Sequence, residues 1–124
     1  MVQTEISQLS GECAEWRQIL RGYREEFGDC KKALEEICRT SGMTKEQLLE
    51  VEHYQNQFHI QLINIHDLKQ SIKAHEKRIL LEGDHVSEKT FSLHEKLLSE
   101  FLGQEAILQE LRVDFKNFIS RISC

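Results

Sequence analysis

Histidine and cysteine are the residues of this sequence best suited to bind a metal ion. The chain has six histidines and four cysteines. They are His53, His59, His66, His75, His85, His94, Cys13, Cys30, Cys38 and Cys124. A zinc site built on one helix needs histidines four residues apart or cysteines in a C-x-x-C pair, and neither spacing occurs. We therefore expect no metal and no cofactor, and we interpret His59 and His66, which share a helix face, as solvated or interface residues.

A di-iron site in a helical bundle would need two Glu-x-x-His motifs on different helices and further glutamates. Glu50 and His53 form one such motif inside a helix, whereas Glu82 and His85 lie across an expected turn. A metal-dependent helical-bundle enzyme is kept as an alternative. The sequence has no P-loop, no Gly-x-Gly-x-x-Gly loop, no Gly-x-Ser-x-Gly turn and no paired-carboxylate arrangement. We therefore expect no catalytic residues and no small-molecule substrate.

The cysteines suit packing better than catalysis. Cys13 and Cys30 fall on an apolar stripe, where a thiol behaves as a small apolar side chain. Helical spacing places no lysine or histidine beside them to activate the thiol. Cys38 lies off the stripe and Cys124 ends the chain. Four irregularly spaced cysteines do not make a disulfide framework, which favours a reducing, intracellular location in the cytoplasm, cytoskeleton, centrosome or nucleus.

The amino-acid composition excludes several classes of protein. Hydrophobic residues make up 40% and charged residues 30% of the 124 residues, with no proline. These values exclude a low-complexity disordered chain and a turn-rich all-β domain. A formal net charge of −5 argues against a nucleic-acid partner. No apolar run approaches the roughly 20 residues of a membrane span, so we expect a soluble helical protein.

The first forty residues carry an unbroken heptad stripe. Apolar residues recur in alternating steps of four and three, which is the spacing of the a and d positions of a coiled coil. The stripe consists of Val2, Ile6, Leu9, Cys13, Trp16, Leu20, Tyr23, Phe27, Cys30, Leu34 and Ile37. We predict an interaction seam that packs against other helices and comprises Leu9, Cys13, Trp16, Leu20, Tyr23, Phe27, Cys30 and Leu34.

Two turns divide the remaining chain. Gly42 suits the position just past a helix end, and Thr44 with Gln47 forms a capping box that begins the next helix. Gly83 and Ser87 predict a second helix end and a second N-cap. Short loops between long helices make neighbours pack side by side.

The sequence therefore predicts an all-α bundle of three long antiparallel helices. Their expected bounds are about 3–40, 45–82 and 88–123, each roughly 55 Å long at about 1.5 Å rise per residue. The alternative is an elongated parallel dimer, in which helix one pairs with its copy and the other two form a C-terminal hairpin. The heptad phase spans almost the whole chain, so we expect 1–124 to be a single coiled-coil domain cut from a longer coiled-coil protein.

Helices two and three carry more apolar residues than one core face needs. The additional ones are Leu49, Ile60 and Ile63 in helix two and Phe91, Leu98 and Leu102 in helix three. Exposed apolar patches often mark association surfaces. We interpret these six residues as a candidate partner patch, with a widened intramolecular core as the alternative.

A basic strip runs along the second helix, although the chain is acidic overall. Lys69, Lys73 and Lys77 recur every four residues, which places them on one helix face. We interpret the strip as a candidate docking site for an acidic partner, such as a microtubule surface or another coiled coil. An ordinary solvated face is the alternative.

The arrangement is similar to that of spectrin-family repeats. Three long helices with heptads and a tryptophan midway along the first, Trp16, carry the resemblance. It implies a structural spacer that binds cytoskeletal filaments. The expected helices are longer than that family's, and Phe101 is the nearest counterpart of its large aromatic residue in helix three. We assign the chain to no family on this resemblance.

These patterns together predict a non-enzymatic interaction or scaffold module. We expect it to form a homodimer or to bind another coiled-coil protein through its heptad seams. A cytoskeletal, centrosomal or trafficking assembly is the expected setting.

Overall fold

A computed structural model describes residues 2–40, 42–83 and 85–122, and their side chains from residue 5 onward. Its three α-helices are α1 (Val2–Thr40), α2 (Lys45–Leu81) and α3 (Glu88–Ile122). The described part of the chain contains no β-strand. The prediction of an all-α three-helix fold is confirmed, and the helix bounds agree with the expected ones to within about one residue.

Ion pairs between the helices define their directions. Arg17 of α1 pairs with Glu76 of α2 at 2.9 Å, so the beginning of α1 lies beside the end of α2. Glu12 and Glu26 of α1 contact His94 and Arg112 of α3 at 2.7 and 2.6 Å. The contacts follow the same order along both helices, so α1 and α3 run the same way. α1 therefore packs on α2 of its own chain, and does not extend away as the elongated alternative requires.

The first turn is closed by the predicted capping box. The Thr44 hydroxyl accepts a hydrogen bond from the backbone N–H of Gln47 at 3.1 Å, and the Gln47 side chain accepts one from the Thr44 N–H at 2.9 Å. These bonds satisfy two backbone donors that a helix start otherwise leaves unpaired. The chain is thereby fixed where α2 begins.

The second turn depends on the backbone conformation of Gly83 and on the carboxylate of Glu82. Gly83 adopts φ 68°, a left-handed conformation that glycine accepts without steric strain. The Ser87 hydroxyl accepts from the Thr90 N–H at 3.2 Å as the N-cap of α3, and Glu82 accepts from the Ser87 N–H at 2.7 Å. The predicted turn at Gly83 and Ser87 is therefore present, with Glu82 as an addition that the sequence argument did not include.

One apolar core runs the length of the bundle. Seven of the eight predicted seam residues are buried and Cys30 is partly buried against the same core. At the end of the bundle near the first turn, the core consists of aromatic rings. They are Phe27, Tyr54, Phe58, Phe115 and Phe118, with ring centroids as close as 4.9 Å. Toward the second turn, the buried polar side chains of His75, Thr90 and His94 join the apolar core.

Candidate functional site

Three metal-ligating side chains meet in the core, one from each helix. Cys13 of α1 is fully buried, and His75 of α2 and His94 of α3 are each 5% exposed. One sulfur and two ring nitrogens, one atom from each residue, lie within 4.8 Å of one another. We call this group the Cys–His cluster.

Heptad position buries all three members of the Cys–His cluster. Cys13 lies one turn from the buried Leu9 and Trp16 of α1. His75 lies between the buried Ile72 and Ile79 of α2, at spacings of three and four. Residues at these spacings share a helix face, so His75 faces the core. His94 faces it in α3 by the same spacing from the buried Thr90 and Leu97.

A chain of hydrogen bonds fixes the two imidazole rings. His94 Nε2 lies 2.7 Å from Glu12 Oε1, and His94 Nδ1 lies 3.0 Å from His75 Nε2. Since a carboxylate only accepts hydrogen bonds, His94 donates from Nε2 and its Nδ1 accepts the proton of His75. Trp16 covers the His94 ring at a centroid distance of 4.8 Å. The His94 Nδ1 lone pair therefore points into the Cys–His cluster.

Burial favours the neutral forms of Cys13 and His75. Desolvation, reinforced by the charge of Glu76, raises the pKa of the Cys13 thiol from 9.0 to about 11. Desolvation and then the neighbouring His94 lower the pKa of His75. A neutral imidazole retains a lone pair, which coordination to a metal requires.

The cluster suits metal coordination better than nucleophilic catalysis. A catalytic cysteine needs a lowered thiol pKa and access to its substrate, whereas Cys13 has a raised pKa and no exposed surface. Thiolate and imidazole together favour borderline-soft divalent ions such as Zn²⁺. The donor set, and not a poised nucleophile, is therefore the chemical feature of this site.

The sequence analysis placed Cys13 on the core stripe but did not find the cluster. The three ligands come one from each helix, so they form neither a zinc-ligand pair within one helix nor a pair of Glu-x-x-His motifs. A signal was present nonetheless, because the stripe of α2 has no apolar residue between Ile72 and Ile79 and His75 occupies that gap. His94 lies similarly one turn before Leu97 on the core face of α3. Titratable residues at core heptad positions were thus the available clue.

A basic groove lies between α1 and α2. It has a volume of about 200 Å³ and is lined by Ala14, Arg17, Gln18, Arg21, Arg24, Lys69 and Lys73. Two of the three lysines of the predicted docking strip line this groove, whereas Lys77 is exposed and does not line it. The arginines of α1 are the partners that the sequence analysis missed, because they belong to a different helix.

The charges in this groove are incompletely compensated. Arg17 pairs with Glu76, and Arg21 pairs with Glu25. The other three cationic side chains of the groove have no carboxylate oxygen within 4.0 Å among the described residues. They are Arg24, Lys69 and Lys73. Partial burial, followed by the nearby charges of Arg24 and Lys73, lowers the pKa of Lys69. The groove is therefore a concentration of positive charge on a chain of formal net charge −5.

The predicted partner patch divides into two surfaces and one core residue. Leu49, Ile60, Ile63, Leu98 and Leu102 are between 38% and 60% exposed. Phe91 is partly buried and packs on the core, as the alternative of a widened core expects for this residue.

Leu102 of α3 and Ile60 of α2 have different neighbours in the bundle. Leu102 shares a helix face with Glu105, which accepts a hydrogen bond from Tyr23 of α1, so this side of α3 is turned toward α1. Ile60 shares a face with Asn64, which lines a groove between α2 and α3. Leu102 therefore lies toward α1, and Ile60 lies near the groove between α2 and α3.

Comparison of the chain with protein-family models, with curated proteins and with solved structures finds no match. The described helices also lack any segment that is both long and apolar enough to cross a membrane.

Proposed function

We propose that this chain is a non-enzymatic interaction module that binds an acidic segment of a partner protein along the basic groove. The observation that carries the proposal is the convergence of five cationic side chains from α1 and α2 on a chain that is acidic overall. Such a local excess of positive charge attracts and orients anionic surfaces. The partner chemistry that fits is a run of aspartate and glutamate.

The uncompensated positive charge of the groove favours an anionic ligand. Lys69 lies near Arg24 and Lys73, whose charges disfavour its own protonated form, so carboxylates in the groove would relieve this repulsion. Arg24 lines the groove, is exposed and has no carboxylate oxygen within 4.0 Å among the described residues, so its guanidinium is available to a partner. Arginine binds carboxylates through two parallel hydrogen bonds, which adds geometric selectivity to the charge attraction.

A fluorescently labelled glutamate-rich helical peptide is the probe for this proposal. We expect the peptide to bind at low salt and to dissociate as NaCl is raised, because exposed charges are screened. The double variant Lys69→Glu/Lys73→Glu should reduce binding by tenfold or more. Fluorescence anisotropy measures both effects.

The matched control moves the same charge outside the groove. Lys77→Glu/Lys89→Glu makes the same change in net charge at two exposed positions. The proposal requires this control to retain most of the binding. Equal losses in both double variants would indicate attraction to the whole molecule, and unchanged binding in the groove variant would remove the proposal. Circular dichroism checks that both variants remain helical.

Self-association is a second candidate, favoured by the exposed leucines of α3. Leu98 and Leu102 lie one turn apart and are 38% and 53% exposed, on the side of α3 turned toward α1. A homodimer would bury these side chains against a second copy. Sedimentation at tens of micromolar should then give a dimer that Leu98→Lys/Leu102→Lys converts to a monomer. A monomeric wild-type chain would dismiss this candidate.

We place this module in the cytoplasm, as part of a cytoskeletal, centrosomal or trafficking assembly. Cys13, Cys30 and Cys38 are free thiols, which fits a reducing compartment. The long rod-like helices suit a scaffold that holds partners along its length. Microscopy of the tagged chain tests the location, and a secreted or lumenal distribution would contradict it.

A further inference from the structure

The Cys–His cluster has the residue composition of a metal site, and it takes no part in the proposed binding of a partner protein. Each helix supplies one donor, and all three residues are at least nine-tenths buried. Titratable side chains are seldom placed together in an apolar core without a bound partner or a complete hydrogen-bond network. The cluster lies inside the bundle, whereas the proposed partner groove lies on its surface.

We propose that Cys13 Sγ, His75 Nε2 and His94 Nδ1 bind one Zn²⁺ ion that ties the three helices together. Zinc prefers a tetrahedral set of sulfur and nitrogen donors, with Zn–S near 2.3 Å and Zn–N near 2.0–2.1 Å. Tetrahedral angles at these lengths place ligand atoms roughly 3.3–3.6 Å apart. The observed separations of 3.0 Å between the ring nitrogens and at most 4.8 Å within the cluster reach this geometry through side-chain shifts of about an ångström.

Glu12 supplies the outer partner that zinc-bound histidines usually have. Its carboxylate accepts the Nε2 proton of His94 at 2.7 Å, on the ring edge opposite the proposed ligand atom. Such carboxylate–histidine–zinc arrangements orient the ring and increase its basicity. The Cys13 thiolate and the Glu12 carboxylate together carry two negative charges, which balance a divalent cation in the core.

The protons balance when the ion enters. The proton of the Cys13 thiol leaves to solvent, because only the thiolate is a zinc ligand. The proton that His75 shares with His94 moves to Nδ1 of His75, which frees its Nε2 for the metal. Zinc thereby replaces the hydrogen bond between the two rings, and one proton is released for each ion bound.

A groove between α2 and α3 gives the ion a path to the site. The groove has a volume of about 340 Å³, and His75 itself is part of its wall. Glu100 also lines the groove and offers a carboxylate along the path. A water molecule entering from this side would complete the fourth coordination position, which three-ligand zinc sites leave open.

Metal titration of the reduced, chelator-treated protein tests the proposal. We expect one equivalent of Zn²⁺ to bind in calorimetry, and Co²⁺ to give a thiolate charge-transfer band with the visible absorption of a tetrahedral site. Zinc should also raise the melting temperature, because a ligand that binds only the folded state stabilises it. These readouts use the wild-type chain and do not depend on a variant folding.

Variants then assign the ligands. Cys13→Ala should remove the charge-transfer band, and His94→Gln should weaken zinc binding at least tenfold. Glu12→Gln should weaken it by roughly 10–100-fold, the usual effect of losing an outer carboxylate. Each variant is used only after circular dichroism confirms that it is helical.

Cys30→Ala and His59→Gln are the matched controls, since Cys30 is a seam cysteine outside the cluster and His59 is exposed. Both controls should bind one zinc ion as the wild type does. No binding by the wild type, or binding that survives in every cluster variant, would overturn the proposal. The second result would mean that zinc binds adventitiously to surface histidines.

Discussion

The two ends of the bundle core are filled with different kinds of side chain. Near the first turn, Phe58 is fully buried and lies 4.9 Å from the Phe115 ring and 5.5 Å from the Phe27 ring. Toward the second turn, Cys13, His75 and His94 occupy equivalent core positions. Aromatic rings contribute stability through buried area and ring contacts.

Polar groups in a core contribute less to stability than apolar groups of the same size. They must find partners or incur a desolvation penalty, and the Cys–His cluster finds them through Glu12 and through contacts between its own members. We therefore expect the aromatic end to contribute more to stability than the Cys–His cluster, which we propose binds a metal ion.

Phe58→Ala should be the most destabilising change in the aromatic end. Truncation of a fully buried phenylalanine leaves a cavity, and we expect the free energy of unfolding to fall by about 3–5 kcal/mol. Urea unfolding followed by circular dichroism measures the loss. Ile63→Ala removes apolar atoms from an exposed side chain and should change stability by less than about 0.5 kcal/mol. A similarly small change in the free energy of unfolding for Phe58→Ala would contradict a structural role for the aromatic end.

His94→Leu should destabilise the metal-free protein by about 1–3 kcal/mol, because His75 loses its buried acceptor. In the double variant His75→Leu/His94→Leu both rings are replaced by apolar groups, so no buried donor remains unpaired. The double variant should therefore lose less than the sum of the two single variants. A double-mutant cycle in urea gives the coupling energy. Strictly additive losses would mean that the two rings do not interact as the structure places them.

Glu82→Gln should lower stability in a manner that depends on pH. Hydrogen bonds from the Ser87 backbone, and then from the Thr90 hydroxyl, lower the pKa of Glu82 from 4.5 to about 2. The charged carboxylate therefore stabilises the folded state above pH 4.5, and this contribution is lost as pH falls from 4.5 toward 2. Thermal melts across this range should show the wild type and Glu82→Gln converging at the acidic end.

Glu52, an exposed residue of α2, provides the control for that comparison. Glu52→Gln should follow the wild type throughout the pH range. A constant difference between the wild type and Glu82→Gln from pH 7 down to pH 2 would show that the carboxylate charge is not what closes the second turn.

Lys69→Gln should have the smallest effect, a stabilisation of about 0.2–0.5 kcal/mol at low salt. The substitution removes one cation from beside Arg24 and Lys73, whose charges act against Lys69. The gain should disappear at high salt, where surface charges are screened. Lys77→Gln, outside the groove, should show no gain. A loss of stability at both salt concentrations would mean that Lys69 contributes packing and not repulsion.

Local chain signals were sufficient to predict the elements of this fold. The capping box at Thr44, the turn glycine at Gly83 and the heptad stripe of α1 each follow from neighbours a few residues apart. The same signals placed Cys13 in the core, where the structure also has it.

The sites could not be predicted in the same way. Both the Cys–His cluster and the basic groove depend on the register of one helix against another, which side-chain packing along the whole interface decides. Spacing along α2 gave Lys69 and Lys73 but not the arginines opposite them. Similarly, His75 and His94 each occupy a core heptad position within their own helix, but only the folded bundle brings them to Cys13.

We propose that the Cys–His cluster at the polar end of the core binds a zinc ion. Crystals of the chain grown with one equivalent of zinc, measured at the zinc absorption edge, test it most directly. We expect one anomalous peak about 2.3 Å from Cys13 Sγ and roughly 2.0–2.1 Å from His75 Nε2 and His94 Nδ1. A peak only at exposed histidines, with the bond between His75 and His94 intact, would contradict it.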